Sequence, residues 1–515
     1  MLLPWYVHYV ALDIQPAFVS VLNMEASIAS RNIFRNISPI DHRYSISEEA
    51  LFDSLASWIS EEASVSSCVK AEIALMAAHL TVRGGLTQAL KAELEKAAAA
   101  VDPAEVYAEE EKTRHNIRAL VNVIKRKVPV ETAPLVHLGA TSVDILDTSL
   151  SWRIRGVTRE VVLPHLKKLE ILLCNFAEKE AATPQVGRTH GQHAVPITVG
   201  FAIAEYVSRL GKSILEIERL ATQLKGKLAG AVGAYNATSM IVKDPEELER
   251  LYLAELGLEP SEHSTQLVEP EYLLRLLLEF NVAFGIIANL ADDLRNLQRS
   301  EIGELREGFA ADQVGSSTMP QKRNPWNSEH VKSLWKAFMP RVTTFFMDQI
   351  SEHQRDLSNS ASQRFIADYV AGFCLAISRM SGVIEGLGAD RERLLKNLRG
   401  DASGGSSAGS SGGISGGVLA EPAYILLAES GVSDAHEVIR KITLKAEKEK
   451  LSFAAALSAE PEVLSRIGKK MAELGLVSNA VDALSWFEKP EQYNGLAVKK
   501  AKTLAVKYRA LMQKK

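Results

Sequence analysis

Cysteine is scarce in this chain: three residues in 515, Cys68, Cys174 and Cys374, far apart and without a CxxC pair. That spacing argues against a disulfide framework or a zinc site and suits a reducing compartment, with a cytoplasmic location as the expectation. Each lies in an apolar or small-residue stretch, so a buried small hydrophobe is a better reading than a catalytic thiol. Excess charge is also lacking, since 59 Lys and Arg against 63 Asp and Glu leave a net charge of −4. No bulk field draws the protein to nucleic acid or to an anionic membrane, and basic residues should matter locally. The first thirty residues are apolar but contain no Lys or Arg, and Pro4, His8, Asp13 and Pro16 break the run. Neither a secretory signal nor an Arg-rich transit peptide fits, so residues 1–30 read as an extension of unknown role, with Met24 as a plausible later start.

What the chain has in quantity is helical periodicity. Ile203, Val207, Leu210, Ile214, Ile217, Ala221 and Leu224 form one apolar stripe with charged residues between. A second follows Pro270: Leu273, Leu276, Phe280, Ile287, Leu290, Leu294 and Leu297. Residues 271–300 carry more Leu, Phe and Ile than one stripe uses, which predicts packing on several sides, as in a bundle shared between subunits. No alternating β-branched run competes, so the fold is expected to be mainly α. Residues 402–417 are almost entirely Gly and Ser. They read as a flexible linker, and no Lys follows that would suit a phosphate-binding loop.

Residues 315–325, Gly-Ser-Ser-Thr-Met-Pro-Gln-Lys-Arg-Asn-Pro, put two hydroxyls, two cations and an amide into one short loop. Gly315 frees the backbone, Pro320 and Pro325 stiffen it, and N–H groups between them can converge on an anion beside Lys322, Arg323 and Asn324. On composition alone a surface connection between helices would read the same way.

This loop resembles the third conserved block of the fumarase/aspartase/argininosuccinate-lyase superfamily at every fixed position. Two more blocks resemble it in the same order, His137-Leu138-Gly139-Ala140-Thr141-Ser142-Val143-Asp144 and Gly187-Arg188-Thr189-His190-Gly191-Gln192-His193-Ala194-Val195-Pro196. Ile37 to Tyr44, Thr113 to Asn116, Ser264 to Gln266 and Arg355 to Ser358 with Ser360 and Arg364 are most similar to the adenylosuccinate lyase family. The resemblance spans roughly residues 36 to 500. It implies a fumarase/aspartase-like fold of three parts, residues 31–136, 137–392 and 393–515, with a central long-helix bundle. It further implies a homotetramer whose sites draw on three subunits, a succinylated purine nucleotide as substrate, and no metal or organic cofactor.

By the same resemblance Ser316 is the base, with Ser317 its rival, and His190 the general acid beside Glu329, with His193 and His137 competing. A free serine is far too weak an acid for that role, so the loop N–H groups and Lys322 would have to stabilise its alkoxide. His115 is expected to contact substrate and to share the acid's task. Arg43, Tyr44, Ser360 and Arg364 match phosphate-binding positions, with Arg355 and Arg323 nearby, and guanidinium forks suit that anion. Arg114, Thr141, Ser142, Thr189, Gln266, Lys322 and Asn324 complete the expected substrate contacts. The chain departs from the pattern at His42, at Asn116, and at Gln321, where glutamine is familiar in argininosuccinate lyases.

Overall fold

The structure, a computed structural model, describes residues 32–309, 315–400 and 414–513. The expected extension 1–30 lies outside the described residues, as does the linker 402–417 apart from its last four positions. The protein is mainly helical, with three two-stranded sheets among the described residues.

The N-terminal helices relevant to the site are α1 (Glu61–Val82), α2 (Pro103–Thr113) and α3 (Asn116–Lys127). Their starts follow capping chemistry: Ser60 accepts from Ala63 N–H ahead of α1, and Asp102 precedes Pro103 at the head of α2. Next come α4 (Ser142–Val157) and α5 (Leu163–Lys179), joined without a break by one π turn, Thr158–Val162. Pro164 explains the turn, because proline has no N–H to give an interior helical bond and the wider turn absorbs the mismatch. At about 1.5 Å per residue the rod from Ser142 to Lys179 is roughly 55 Å long.

The hairpin β1 (Pro184–Thr189) and β2 (Gln192–Thr198) caps the far end of that rod, and α6 (Val199–Thr222) runs back along it. After α7 (Pro245–Glu255) comes α8 (Glu271–Leu297), which at the same rise spans about 40 Å. α9 (Trp326–Phe338) returns, α10 (Ile366–Glu385) goes out again, and α11 (Arg391–Arg399) follows. Both predicted stripes face inward. Ile203, Val207, Leu210, Ile214, Ile217 and Ala221 on α6 are buried, as are Leu276, Phe280, Ile287, Leu290 and Leu294 on α8. Phe280 and Phe284 stack on Phe373 of α10 at 5.4 and 5.3 Å between ring centres.

Three apolar cores are found among the described residues; two of them cross the expected boundary at residue 136, and one of these crosses that at 392 as well. The bundle core includes the last helix, α12 (Ala497–Met512), through Ala501, Ala505, Tyr508 and Met512. Gly211 on α6 admits it, since a Cβ there would lie 2.2 Å from the Tyr508 ring. The N-terminal core takes in Leu248, Tyr252 and Leu253 of α7, and a third core is confined to residues 419–487. The segment Glu271–Leu297 is long and apolar enough to cross a membrane by length and composition, yet only 56% of its most apolar window is buried within the chain. Val282 on it is 51% exposed. All three cysteines are buried and free, and burial pushes Cys174 and Cys374 up to about 12, far from a reactive thiolate.

The direction of the long helices gives the bundle two functional ends. One carries Thr141 and Ser142 at the start of α4, together with Gln266 and the 349–364 segment, which meet where Gln266 N–H donates to Gln354 O at 3.1 Å. The other carries the β1–β2 hairpin and residues 298–309 and 315–325, which follow α8.

Candidate active site

Gly315 is required by the signature loop itself, because a Cβ there would sit 2.1 Å from the Lys322 carbonyl oxygen. The loop closes on that approach: Asn324 Nδ2 donates to Gly315 O at 3.1 Å, and Lys322 N–H to Met319 O at 3.0 Å. Ser316 Oγ accepts the N–H of Met319 at 3.1 Å and that of Thr318 at 3.4 Å. Backbone donors on a hydroxyl oxygen favour its deprotonated form, so this chain gives Ser316 an environment for which Ser317 has no counterpart among the described hydrogen bonds. Lys322 is exposed, and no hydrogen bond joins it to Ser316 among the described residues. Arg323 lies over the Phe309 ring at 5.0 Å, and its carbonyl accepts from Gln298 at 3.3 Å.

Two carboxylates just before the loop organise this end. Glu307 caps α9 from outside, accepting the N–H groups of Asn327 at 3.2 Å and Ser328 at 2.8 Å, and the Ser328 hydroxyl at 2.5 Å. Glu329 stands exposed in the first turn of α9. Glu304, fully buried, accepts from Arg188 at 2.5 and 3.0 Å, Gln185 at 2.8 Å and Asn397 at 2.9 Å. It thereby ties the hairpin to α11 and to the strand leading into the loop. The hairpin turn is the dipeptide His190-Gly191, both with positive φ of 55° and 73°, as a two-residue type I′ turn demands. His190 and Thr189 are exposed at its tip. His190 and Glu329 share no hydrogen bond or ion pair within the chain among the described residues. His193, opposite Arg188 on the hairpin, is held below its ordinary range, by burial and then by Arg188.

At the opposite end, His137 is held by Glu72, whose oxygens meet its Nδ1 at 2.7 Å and its N–H at 2.9 Å. Glu72 is wholly buried, so the pair also anchors the loop that carries His137. Thr141 caps α4 in a reciprocal box with Asp144, whose Oδ2 accepts Thr141 N–H at 2.7 Å. Ser142 follows as the first helical residue, half-buried. Arg355 has a positive φ of 79°, and its Nη1 donates to Gln349 O at 2.7 Å. Ser360 and Arg364 are exposed just before α10.

His115 caps α3, its Nδ1 accepting Arg118 N–H at 3.3 Å, which leaves the proton of the neutral ring on Nε2. Arg114 precedes it in a left-handed conformation and pairs with Glu111 at 3.3 Å. No hydrogen bond or ion pair joins Arg43 or Tyr44 to Ser360 or Arg364 among the described residues. Arg43 and Tyr44 line a cleft of about 540 Å³ with Phe34, His42, Trp326, His330 and Arg379. Tyr44 Oη lies 3.1 Å from His330 Nε2, and burial, then Arg379 and Arg43, hold that imidazole below its ordinary range.

Most of the expected residues gather as two half-sites, with Ser316, Lys322, Arg323, Asn324, Glu329, Thr189 and His190 at one end and Thr141, Ser142, Gln266, Arg355, Ser360 and Arg364 at the other, while Arg43 and Tyr44 face the head of α9 and Arg114 and His115 sit at the head of α3. Glu304, Glu307, His330 and Arg379 are additions that no motif signals. The acidic residues could have been suspected only from their place immediately before a cation-bearing loop.

Comparison with known proteins bears on the same residues. The sequence profile of the Lyase family matches residues 41–337, and that of the adenylosuccinate lyase C-terminal family matches residues 351–477. Adenylosuccinate lyase of Pyrococcus horikoshii is 32% identical over 445 residues, covering 85% of this chain and 93% of that protein. The Archaeoglobus fulgidus adenylosuccinate lyase is 29% identical over 471 residues, 90% of this chain and 96% of its own. Among solved structures, 3-carboxy-cis,cis-muconate lactonizing enzyme of Pseudomonas putida gives a TM-score of 0.74 at 25% identity, covering 90% of this chain and 98% of that one. Fumarate lyase of Mesorhizobium sp. BNC1 shares the fold, with a TM-score of 0.73 at 20% identity over 88% and 97%.

Proposed function

The chain belongs to the adenylosuccinate lyase family, and from that membership we propose that it cleaves adenylosuccinate to AMP and fumarate. The analogous succinyl-aminoimidazole-carboxamide ribotide of purine biosynthesis is its second substrate. The observation that carries the reading is the Ser316 hydroxyl, held by the Met319 N–H in a loop that also offers Lys322 and Asn324.

Ser316 takes the proton on the carbon beside a succinyl carboxylate. The electron pair left there is delocalised into that carboxylate, where donors already in position are worth most. The pair then forms the carbon–carbon double bond of fumarate as the carbon–nitrogen bond breaks, and His190 gives the departing nitrogen a proton. Glu329 and His115 support the acid. Thr141, Ser142, Thr189 and Gln266 bind the carboxylates, while Arg43, Tyr44, Ser360, Arg364 and Arg355 hold the phosphate.

The working form is a homotetramer in the cytoplasm. One chain keeps the two half-sites apart by about the length of α8, roughly 40 Å, so a complete site needs one end of one chain against the other end of a second. The incompletely covered apolar surface of α8 is the face on which such chains meet. Gln321 favours a second reading, cleavage of argininosuccinate.

Purified protein given each substrate separately, with fumarate followed by absorbance, tests the proposal. Release from adenylosuccinate is expected. Release from argininosuccinate alone would transfer the chemistry to the second reading, and release from neither would leave a helical oligomer without this activity.

A further inference from the structure

Behind the start of α4 lies an ion pair that no part of the mechanism above uses. Lys227 and Asp144 are both fully buried and in direct contact. Asp144 Oδ1 also accepts the N–H groups of Ala229 at 3.2 Å and Gly230 at 3.3 Å, while its Oδ2 holds Thr141 N–H at 2.7 Å. Lys227 Nζ has a second acceptor in Gly230 O at 3.1 Å, and its own backbone is clasped by Thr148 Oγ1 at 3.1 and 3.2 Å. One carboxylate thus joins the first turn of α4 to the 227–230 loop.

That loop reaches further. Glu249 accepts Leu228 N–H and the Tyr235 hydroxyl, each at 2.6 Å. Gly233, with φ of 79°, packs so closely on Ser264 that a Cβ would stand 1.9 Å from its carbonyl oxygen. Residues 227–235 therefore bridge Thr141–Ser142 and Ser264–Gln266, the two segments assigned above to the succinyl carboxylates.

Charge adds a second reason. Asp144, Asp147 and Glu249 all feel one another or Lys227 in this region. Without the lysine, buried negative charge would stand directly behind a helix N-terminus meant to receive an anion, cancelling its attraction. A buried ion pair adds little stability over an apolar pair of the same shape, so geometry and local charge are what it contributes.

We propose that Lys227, through Asp144, is a positioning residue that holds Thr141–Ser142 and Gln266 as one cradle for a substrate carboxylate. The inference rests on the functional reading above for the identity of that carboxylate.

The test uses Lys227→Met, Asp144→Asn and the two combined in the full-length protein. Each single variant leaves a buried charge or donor unmatched and should lower Tm. The double variant should recover most of that Tm and yet raise KM for adenylosuccinate at least about tenfold with a smaller change in kcat, and weaken fumarate binding measured by calorimetry in parallel. A double variant with recovered Tm, wild-type KM and wild-type fumarate affinity would overturn the proposal.

Should the double variant not fold, Tyr235→Phe decides the matter. It loosens the same loop from outside the buried pair, lowering Tm modestly because buried Glu249 loses one donor, and KM should rise several-fold. An unchanged KM would count against the proposal. Failure of the wild-type protein to cleave adenylosuccinate would remove the functional reading, while the fumarate titrations would still decide this one.

Discussion

Replacing Arg188 by Met should loosen the hairpin that carries His190 and leave the bundle intact. Arg188 gives Glu304 two of its four hydrogen bonds, at 2.5 and 3.0 Å, and the carboxylate is wholly buried with Arg188 only 18% exposed. Removing one partner of a buried pair strands the other charge and costs about 3–5 kcal/mol. Gln185 and Asn397 would remain as neutral donors, which places the effect toward the lower end of that range. Because β1 packs on α11 at this cluster, the loss should surface first as local opening of residues 184–198. At 1.4 kcal/mol per tenfold, amide exchange there should speed up by roughly 10²–10³. Native-state hydrogen exchange read by mass spectrometry, with peptides from α5 and α8 as internal controls, measures it directly. Turnover should fall in the same variant, since the tip histidine is held by the hairpin. Unchanged protection across 184–198 would refute the reasoning, as would equal loosening of α5 and α8.

Ser316→Ala and His190→Gln should each lower kcat at least about a hundredfold with little change in folding, and near-normal turnover in either would remove that residue from its role. Arg364→Ala should act mainly on KM, and unaltered KM and kcat would count against a phosphate contact. Asp147 supplies a pH signature. Burial pushes its carboxyl up to about 6, helped by Asp144 and opposed by the Val268 N–H and by Lys227. A folded-state pKa above the ordinary 3.8 means that the folded protein holds the proton more tightly, so the stabilisation is complete below about pH 4 and lost as pH rises through 6. At about 1.4 kcal/mol per pKa unit this is on the order of 2–3 kcal/mol. Asp147→Asn should flatten stability between pH 4 and 7 in chemical denaturation, and an unaltered pH profile would refute the assignment.

The long helices were legible because their apolar stripes repeat for six or seven turns, and the burial of Val207, Leu210 and Ile214 or Phe280, Ile287 and Leu290 follows that repeat. The signature loop was legible as residue types, but its closure was not. The contact that makes Gly315 necessary is with a carbonyl seven residues on, and the Met319 donor on Ser316 depends on that closed shape. The β1–β2 hairpin escaped notice because Gly187, Arg188, Gln192 and Pro196 break any alternation of apolar residues, leaving only His190-Gly191 as a turn signal. Glu304 and Glu307 escaped for another reason: an acidic residue beside a loop looks solvated until its partners, more than a hundred residues away for Arg188, are brought to it. Likewise nothing local could reveal that α12 crosses back to the bundle, since that depends on the space left beside Gly211.

We propose that each site joins the Ser316 end of one chain to the Thr141–Gln266 end of another. Two inactive variants, Ser316→Ala and Gln266→Ala, test it when co-expressed in equal amounts and purified as mixed oligomers. If sites are shared, random assembly leaves about a quarter of them with both ends unaltered, and fumarate release should return to roughly that fraction of the wild-type rate. Mixed oligomers as inactive as either parent would contradict the claim and confine each site to a single chain.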